Sequence, residues 1–120
     1  MNSYLFDTYA IIEIIKGNPN YKPYLDQEMI INKFIFAELS YILLREKYPN
    51  ADNYLDKYTK FIVSIKPSTI KEAMKFRLEN KKKNLSMTDC ISYFMAKELG
   101  IRFLTGDKEF EKIDNVEFIK

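Results

Sequence analysis

A chain of 120 residues with 47% apolar and 30% charged side chains has the make-up of one ordinary globular domain, and disordered or fibrous classes are excluded. A net charge of +2 is too mild to point to nucleic acid by itself. The absence of histidine excludes more: serine or cysteine nucleophiles activated by histidine, and most zinc sites, are ruled out. In chain order, Tyr4–Phe6 reads as a short apolar strand ending at Asp7. Thr8–Lys16 follows as a helix with Ile11, Ile12 and Ile15 on one face, and Gly17-Asn18-Pro19 ends it. Met29–Ile31 reads as a second strand, and Phe34–Tyr48 as a helix closed by Pro49-Asn50. Asp52–Ile62 is a polar-faced helix that runs toward a short strand at Val63–Lys66. Pro67 is placed to open the next helix, Ser68–Asn80, and the basic run Lys81-Lys82-Lys83 follows.

The stretch from Leu85 to Phe110 carries the sharpest local signals. Ser86 precedes an apolar-periodic run (Ile91, Phe94, Met95, Leu99) as a helix cap, and Gly100 supplies the stop. Ile101–Leu104 is then a buried strand, broken by Thr105-Gly106-Asp107. A short turn of helix and an edge strand at Val116–Ile119 finish the chain. Strands alternating with helices imply a parallel sheet covered on both faces with right-handed crossovers. The expected fold class is therefore α/β, a three-layer α/β/α arrangement of about five short strands, in a single domain spanning residues 1–120. One cysteine, Cys90, permits no internal disulfide and reads as a small buried side chain in a reducing compartment. No signal peptide and no apolar run of about 18 residues is found, so a cytoplasmic protein with no membrane span is expected.

Without histidine, a catalytic site is most economically built from carboxylates, which favour a hard cation such as magnesium or manganese. Four acids stand where such a site would form. Asp7 and Asp107 follow strands at their carboxyl ends, where open α/β sheets bind ligands, and Asp89 lies in a helix's first turn. Glu38 sits among Phe34, Ile35, Tyr41 and Ile42, so it must be paired with a cation, protonated, or at the rim of a cleft. Each acid also has a plain structural role open to it. Asp7 and Asp107 could cap helices, Asp89 could close a capping box with Ser86, and Glu38 could be a rim residue satisfied by a Lys or Arg. Taken together, four acids converging on one sheet edge would repel one another, and metal binding is the natural compensation.

In this order and spacing, Phe6-Asp7-Thr8, Ala37-Glu38-Leu39, Ser86-Met87-Thr88-Asp89 and Thr105-Gly106-Asp107 resemble the PIN-domain ribonucleases, and among them the small VapC-like toxins of toxin–antitoxin pairs. The resemblance covers essentially the whole chain. It implies that Asp7, Glu38, Asp89 and Asp107 are the catalytic, metal-binding acids, and that Mg²⁺ or Mn²⁺ is the cofactor. Thr105 matches the family's small hydroxyl residue beside the last acid, whereas Gly106 stands where many members carry a polar side chain. The implied activity is metal-dependent endonucleolytic cleavage of single-stranded RNA by in-line attack, leaving a 5′-phosphate and a 3′-hydroxyl. The implied partners are an RNA substrate, an antitoxin that covers the acidic cleft, and a second copy in a homodimer.

Thr8, Thr105 and Lys108 are the candidate substrate contacts, with Lys108 the best placed of the basic residues; Lys33, Arg45 and Lys81–Lys83 are weaker ones. A haloacid-dehalogenase-like phosphatase also begins with an acid after its first strand, but it needs a second Asp where this chain has Tyr9. A housekeeping RNA-processing nuclease and a non-catalytic PIN-like RNA- or protein-binding module remain as alternatives.

Overall fold

The computed structural model describes residues 1–120. In chain order the elements are β1 (Ser3–Phe6), α1 (Thr8–Ile15), a 3₁₀ segment (Pro19–Tyr24), β2 (Glu28–Ile30) and α2 (Lys33–Arg45). Then come α3 (Ala51–Thr59), α4 (Pro67–Glu79), α5 (Met87–Leu99), β3 (Arg102–Thr105), a 3₁₀ turn (Lys108–Phe110) and β4 (Val116–Phe118). The strands form one sheet in the order β2-β1-β3-β4, every neighbouring pair parallel, with helices packed on it. That is the expected α/β class, with four strands in place of about five.

The fifth strand, expected at Val63–Lys66, is reduced to a single parallel bridge between Ile31 and Ile62. Ile31 donates its N–H to the Phe61 carbonyl and accepts from Val63 N–H, after which the chain leaves for α4. Pro67 at the start of α4 accounts for the short contact, because the residue before a proline is held extended while the ring begins a helix.

The core sits where β1 and β3 cross the middle of the sheet. Leu5, Phe6, Phe103 and Leu104 are all fully buried, although successive residues point to opposite faces, so both faces of the sheet are covered. Ile11 of α1, Ile35, Leu39 and Leu43 of α2, and Ile91 and Met95 of α5 pack onto this centre. The periodicity of α2 is narrower than its composition implies. Only the Ile35–Leu39–Leu43 stripe is buried, while Tyr41 and Leu44 are 63% exposed. This helix begins at an Asn32 cap whose Oδ1 accepts from Ile35 N–H at 2.9 Å. It ends at Arg45, before Tyr48, because Lys47 adopts a left-handed φ of 54° that no helix can continue.

Both ends of α5 follow the local chemistry. Ser86 and Asp89 form a reciprocal capping box, and Gly100 terminates the helix at φ 69°. β3 then leads directly back into the sheet beside β1. Chain order reverses at this point: β1 leads to β2 on one side, and β3 returns on the other. The crevice beyond the carboxyl ends of β1 and β3 is thus the topological switch point, the place where open parallel sheets present ligand sites.

Candidate active site

Asp7, Thr8, Glu38, Asp89 and Asp107 all line one cleft of about 690 Å³ at that switch point. The four acids come from four separate elements or junctions; three are fixed by a local hydrogen bond, and Glu38 by one from Thr8. Asp7 follows β1 and caps α1, with Oδ1 accepting from Thr8 N–H at 2.8 Å. Its Oδ2 accepts from the Thr105 hydroxyl at 2.7 Å, across the junction of β1 and β3. Asp89 Oδ2 accepts from Ser86 N–H at 2.9 Å while its own N–H donates to Ser86 Oγ at 3.0 Å. Asp107 follows β3 and caps the 3₁₀ turn, with Oδ1 accepting from Glu109 N–H at 3.0 Å. Glu38, midway along α2, is half-buried, and its Oε1 accepts from the Thr8 hydroxyl at 2.8 Å.

Thr8 and Thr105 therefore act as spacers between acids. Thr8 reaches Asp7 with its backbone and Glu38 with its side chain. Thr105 is fully buried; its hydroxyl donates to Asp7 and accepts from Asp107 N–H at 3.0 Å. A chain of hydrogen bonds thus runs from Glu38 through Thr8, Asp7 and Thr105 to Asp107.

No lysine or arginine forms an ion pair with any of the four acids. The electrostatic consequence falls on the two most enclosed ones. Burial pushes the Asp7 carboxyl up to about 8; the Asp89 charge and, less strongly, Glu38 push the same way, against the hydrogen bonds from Thr105 and Thr8. Burial also raises Asp89 to about 6, opposed by its bonds to Ser86 and aided by the charges of Asp107 and Glu38. Cys90, next to Asp89, is buried; that burial pushes its thiol up to about 11, which leaves it an inert packing residue.

This donor set fits a hard divalent cation by its chemistry: all oxygen, no histidine or paired cation, and carboxyls whose mutual repulsion such an ion would relieve. It is not a closed cage, since no three acids are grouped tightly enough to enclose an ion by themselves. The capping bonds explain why, because Asp89, Asp107 and Glu38 each have one oxygen held by a neighbouring group and the other free. Such a cleft suits an ion that keeps part of its water shell, as magnesium does.

Of the other candidates, Arg45 lines the cleft, whereas Lys108 is exposed on the 3₁₀ turn and outside the lining. Lys81 and Lys83 border a separate hollow with Met74, Arg77 and Leu78. The cleft also contains residues that sequence reasoning did not single out: Tyr9, Glu13 and Lys16 of the α1 segment, and Glu46 and Tyr48 beyond α2. Tyr9, Glu13 and Lys16 follow one another by four and three residues, and Glu46 lies two steps of four after Glu38; that helical spacing was the available signal. Gly106 shows why no side chain stands there: a methyl group would collide with the Tyr9 ring and the Ile119 carbonyl oxygen.

A parallel four-stranded sheet, a switch-point cleft and four unpaired acids define an α/β protein with a carboxylate-lined site. The chain belongs to the PIN domain family, whose model matches residues 4–116. Solved structures share the fold. One is a toxin–antitoxin complex from Klebsiella pneumoniae, 23% identical over 95% of both chains, with a TM-score of 0.78. Another is the protein PAE2754 of Pyrobaculum aerophilum, 18% identical over 98% of this chain and 89% of that one, TM-score 0.73. A third is the sarcin–ricin-loop-cleaving toxin VapC20 of Mycobacterium tuberculosis, 12% identical over 98% and 99%, TM-score 0.79. Curated protein sequences include no match. No helix is long and apolar enough to cross a membrane.

Proposed function

We propose that this protein is a Mg²⁺- or Mn²⁺-dependent endoribonuclease acting on single-stranded RNA, and the toxin of a toxin–antitoxin pair. The observation that carries the activity is the meeting of Asp7, Glu38, Asp89 and Asp107 in one cleft with no basic partner among them. Acids left facing one another in a folded chain cost stability, and a site that binds a cation and a phosphodiester is a reason to keep them. The toxin role draws on the fold shared with a protein from a toxin–antitoxin complex and with a toxin that cleaves the sarcin–ricin loop.

When bound, the divalent cation supplies charge neutralisation at the phosphate and a water of lowered pKa. The chain's own residues do the positioning. Asp7, locked between Thr8 N–H and the Thr105 hydroxyl, is the anchor, and Asp89 faces it from the start of α5. Glu38 has Oε1 held by Thr8 and leaves Oε2 to orient a water for in-line attack on phosphorus. Asp107 has Oδ2 free, and it would serve the leaving 3′-oxygen or its water. Water's O–H bond and the P–O3′ bond break, a new P–O bond forms, and the proton lost by water ends on the 3′-oxygen, so the products are a 5′-phosphate and a 3′-hydroxyl.

Purified protein incubated with labelled single-stranded RNA tests this directly. Cleavage with Mn²⁺ that stops with EDTA is expected, with both product ends as stated; no cleavage with either ion would reject the enzyme. The toxin role is read separately. A small partner that co-purifies from native cells and silences cleavage supports it, and a nuclease with no such partner is a processing enzyme. The homodimer belongs to the same proposal, and sedimentation of the purified chain reads it.

A further inference from the structure

We infer that the wall of the cleft built by α1 and α2 is a docking track for single-stranded RNA, in which Tyr9 and Tyr41 stack on bases while Lys16 and Arg45 meet phosphates. This rests on the nuclease reading of the acids and adds the path of the strand on either side of them.

The first observation is charge. Six acids line the cleft but only two cations, Lys16 and Arg45, so attraction for a polyanion is concentrated on this wall. Each cation stands at the end of its helix, away from Asp7, Glu38, Asp89 and Asp107, with Glu13 beside Lys16 and Glu46 beside Arg45. Lys16 closes α1 eight residues after Thr8, and Arg45 closes α2 seven residues after Glu38. At the helical rise, each lies ~10 Å along the axis from the acidic end, clear of the repulsion there. Their present partners are exchangeable. Arg45 meets Glu46 at 2.9 Å in an exposed pair of a kind that contributes little and gives way to a phosphate, and Lys16, itself more than half exposed, reaches the half-buried Glu13 only at 3.7 Å.

The second observation is aromatic. Tyr41 is 63% exposed within the cleft wall, and the Arg45 guanidinium lies 5.3 Å from its ring centroid. An exposed ring with a cation over it is the platform that single-strand binders present to a base. Tyr9 is 36% exposed, and its hydroxyl makes no hydrogen bond to the protein. Its ring occupies the space that any side chain at position 106 would fill, so glycine there is what admits it. This seat holds the ring in the cleft lining, on the first turn of α1 after Asp7. Stacking tolerates any base, which suits strand capture before cleavage. A protein ligand is the weaker fit for this wall, since the most exposed aliphatic residue of α2, Leu44, lies outside the cleft lining.

The test is binding of fluorescently labelled single-stranded RNA by the full chain in EDTA, followed by anisotropy over a range of salt. Tyr41→Ala removes a surface ring and endangers no packing; it should weaken binding about tenfold and leave the salt dependence unchanged. Lys16→Gln with Arg45→Gln should weaken binding and lower the slope of log K against log salt by about 1.4, the amount expected for two phosphate contacts on a single strand. Tyr9→Phe should bind as the wild type does and Tyr9→Leu about tenfold more weakly. Lys71→Gln with Lys75→Gln, on α4, should change affinity less than twofold. RNA affinity unmoved by Tyr41→Ala and by the two glutamine substitutions would overturn the track and leave this wall to a protein partner. So would a wild type that binds no RNA. A wild type that binds with the expected pattern yet never cuts with Mn²⁺ would support the track and reject the nuclease instead.

Discussion

Replacing Asp7 with asparagine separates the charge of this residue from its shape. In the folded protein the carboxyl stays protonated up to about pH 8, mainly because it is buried, whereas in the unfolded chain it ionises near 3.8. Between those values the folded chain holds the extra proton, so the stability of the metal-free protein falls as pH rises through the interval. At about 1.4 kcal/mol per pH unit over about four units, the loss accumulated by pH 8 is on the order of 5 kcal/mol. Asparagine carries no charge to desolvate and is spared that loss. It still accepts from Thr8 N–H through its amide oxygen, but its NH₂ faces the Thr105 hydroxyl, which then has no acceptor for its own proton. Stranding one buried hydroxyl costs about 1–2 kcal/mol. The net gain at pH 8 is therefore about 3 kcal/mol, or about 12 °C in Tm for a domain of this size. Near pH 4 the gain is gone and the variant should melt a few degrees below the wild type. The assay is thermal unfolding of both proteins in EDTA from pH 4 to pH 8. Two curves that stay parallel, or a variant less stable at pH 8, would refute the claim that Asp7 is held in the cleft at the expense of the fold. Asp89, raised to about 6, should leave a residual decline in the variant over the lower half of the range.

Mn²⁺ at about 100 times its Kd should stabilise the wild type by about 3 kcal/mol through mass action, and Asp7→Asn much less; equal shifts in Tm would put the ion elsewhere. Asp89→Asn should abolish cleavage yet keep or raise its melting temperature in EDTA, because the amide oxygen can still accept from Ser86 N–H and the buried charge is gone. Asp89→Ala loses that half of the capping box and should cost about 1 kcal/mol by urea unfolding, so a large loss for the asparagine variant would make the cap its whole role. Gly106→Ala should destabilise by about 1–3 kcal/mol, since the new methyl meets a backbone carbonyl as well as the Tyr9 ring. Combined with Tyr9→Ala, its cost should fall below the sum of the two, and strict additivity would deny the contact.

What was legible in the chain is what local chemistry specifies. β1, β3 and α5 emerge at their expected places because apolar runs there are bracketed by Asp7, Thr105-Gly106 and the Ser86/Gly100 pair, which stop the backbone within a residue or two. Where the ends depend on tertiary contacts, the reading drifts. Helical apolar spacing runs from Leu44 on to Tyr48, but α2 stops three residues earlier, before the left-handed turn of Lys47, and its true cap is Asn32, which also donates to Ser92 Oγ of α5. The same limit applies to the site. That Asp7 and Asp107 share an edge follows from parallel topology alone. Which turns of α1 and α2 face the cleft does not, because that depends on how the two helices pack on each other. Tyr9 and Lys16 could not be separated from ordinary surface residues until that packing was known.

Capping by these acids and the catalytic role proposed for them do not compete. Asp7, Asp89 and Asp107 are each a cap, as their positions at helix starts allow, and each also faces the cleft. A carboxylate has two oxygens. In Asp89 and Asp107 one is spent on the backbone at the start of a helical turn, which fixes the side chain, and the other remains for a ligand. Capping thus does the orienting that a metal site would otherwise need from added side chains, in a chain too short to supply many. The arrangement also explains why the acids stay apart rather than collapsing into a cage: each is tethered to a different element. It follows that loss of the cation should change the charge of the cleft far more than its shape. Hydrogen exchange at the amides of Thr8, Asp89 and Glu109 should be as slow in EDTA as the rest of their helical turns. Selective fraying of those turns without metal would mean that the ion, and not the caps, holds the acids in place.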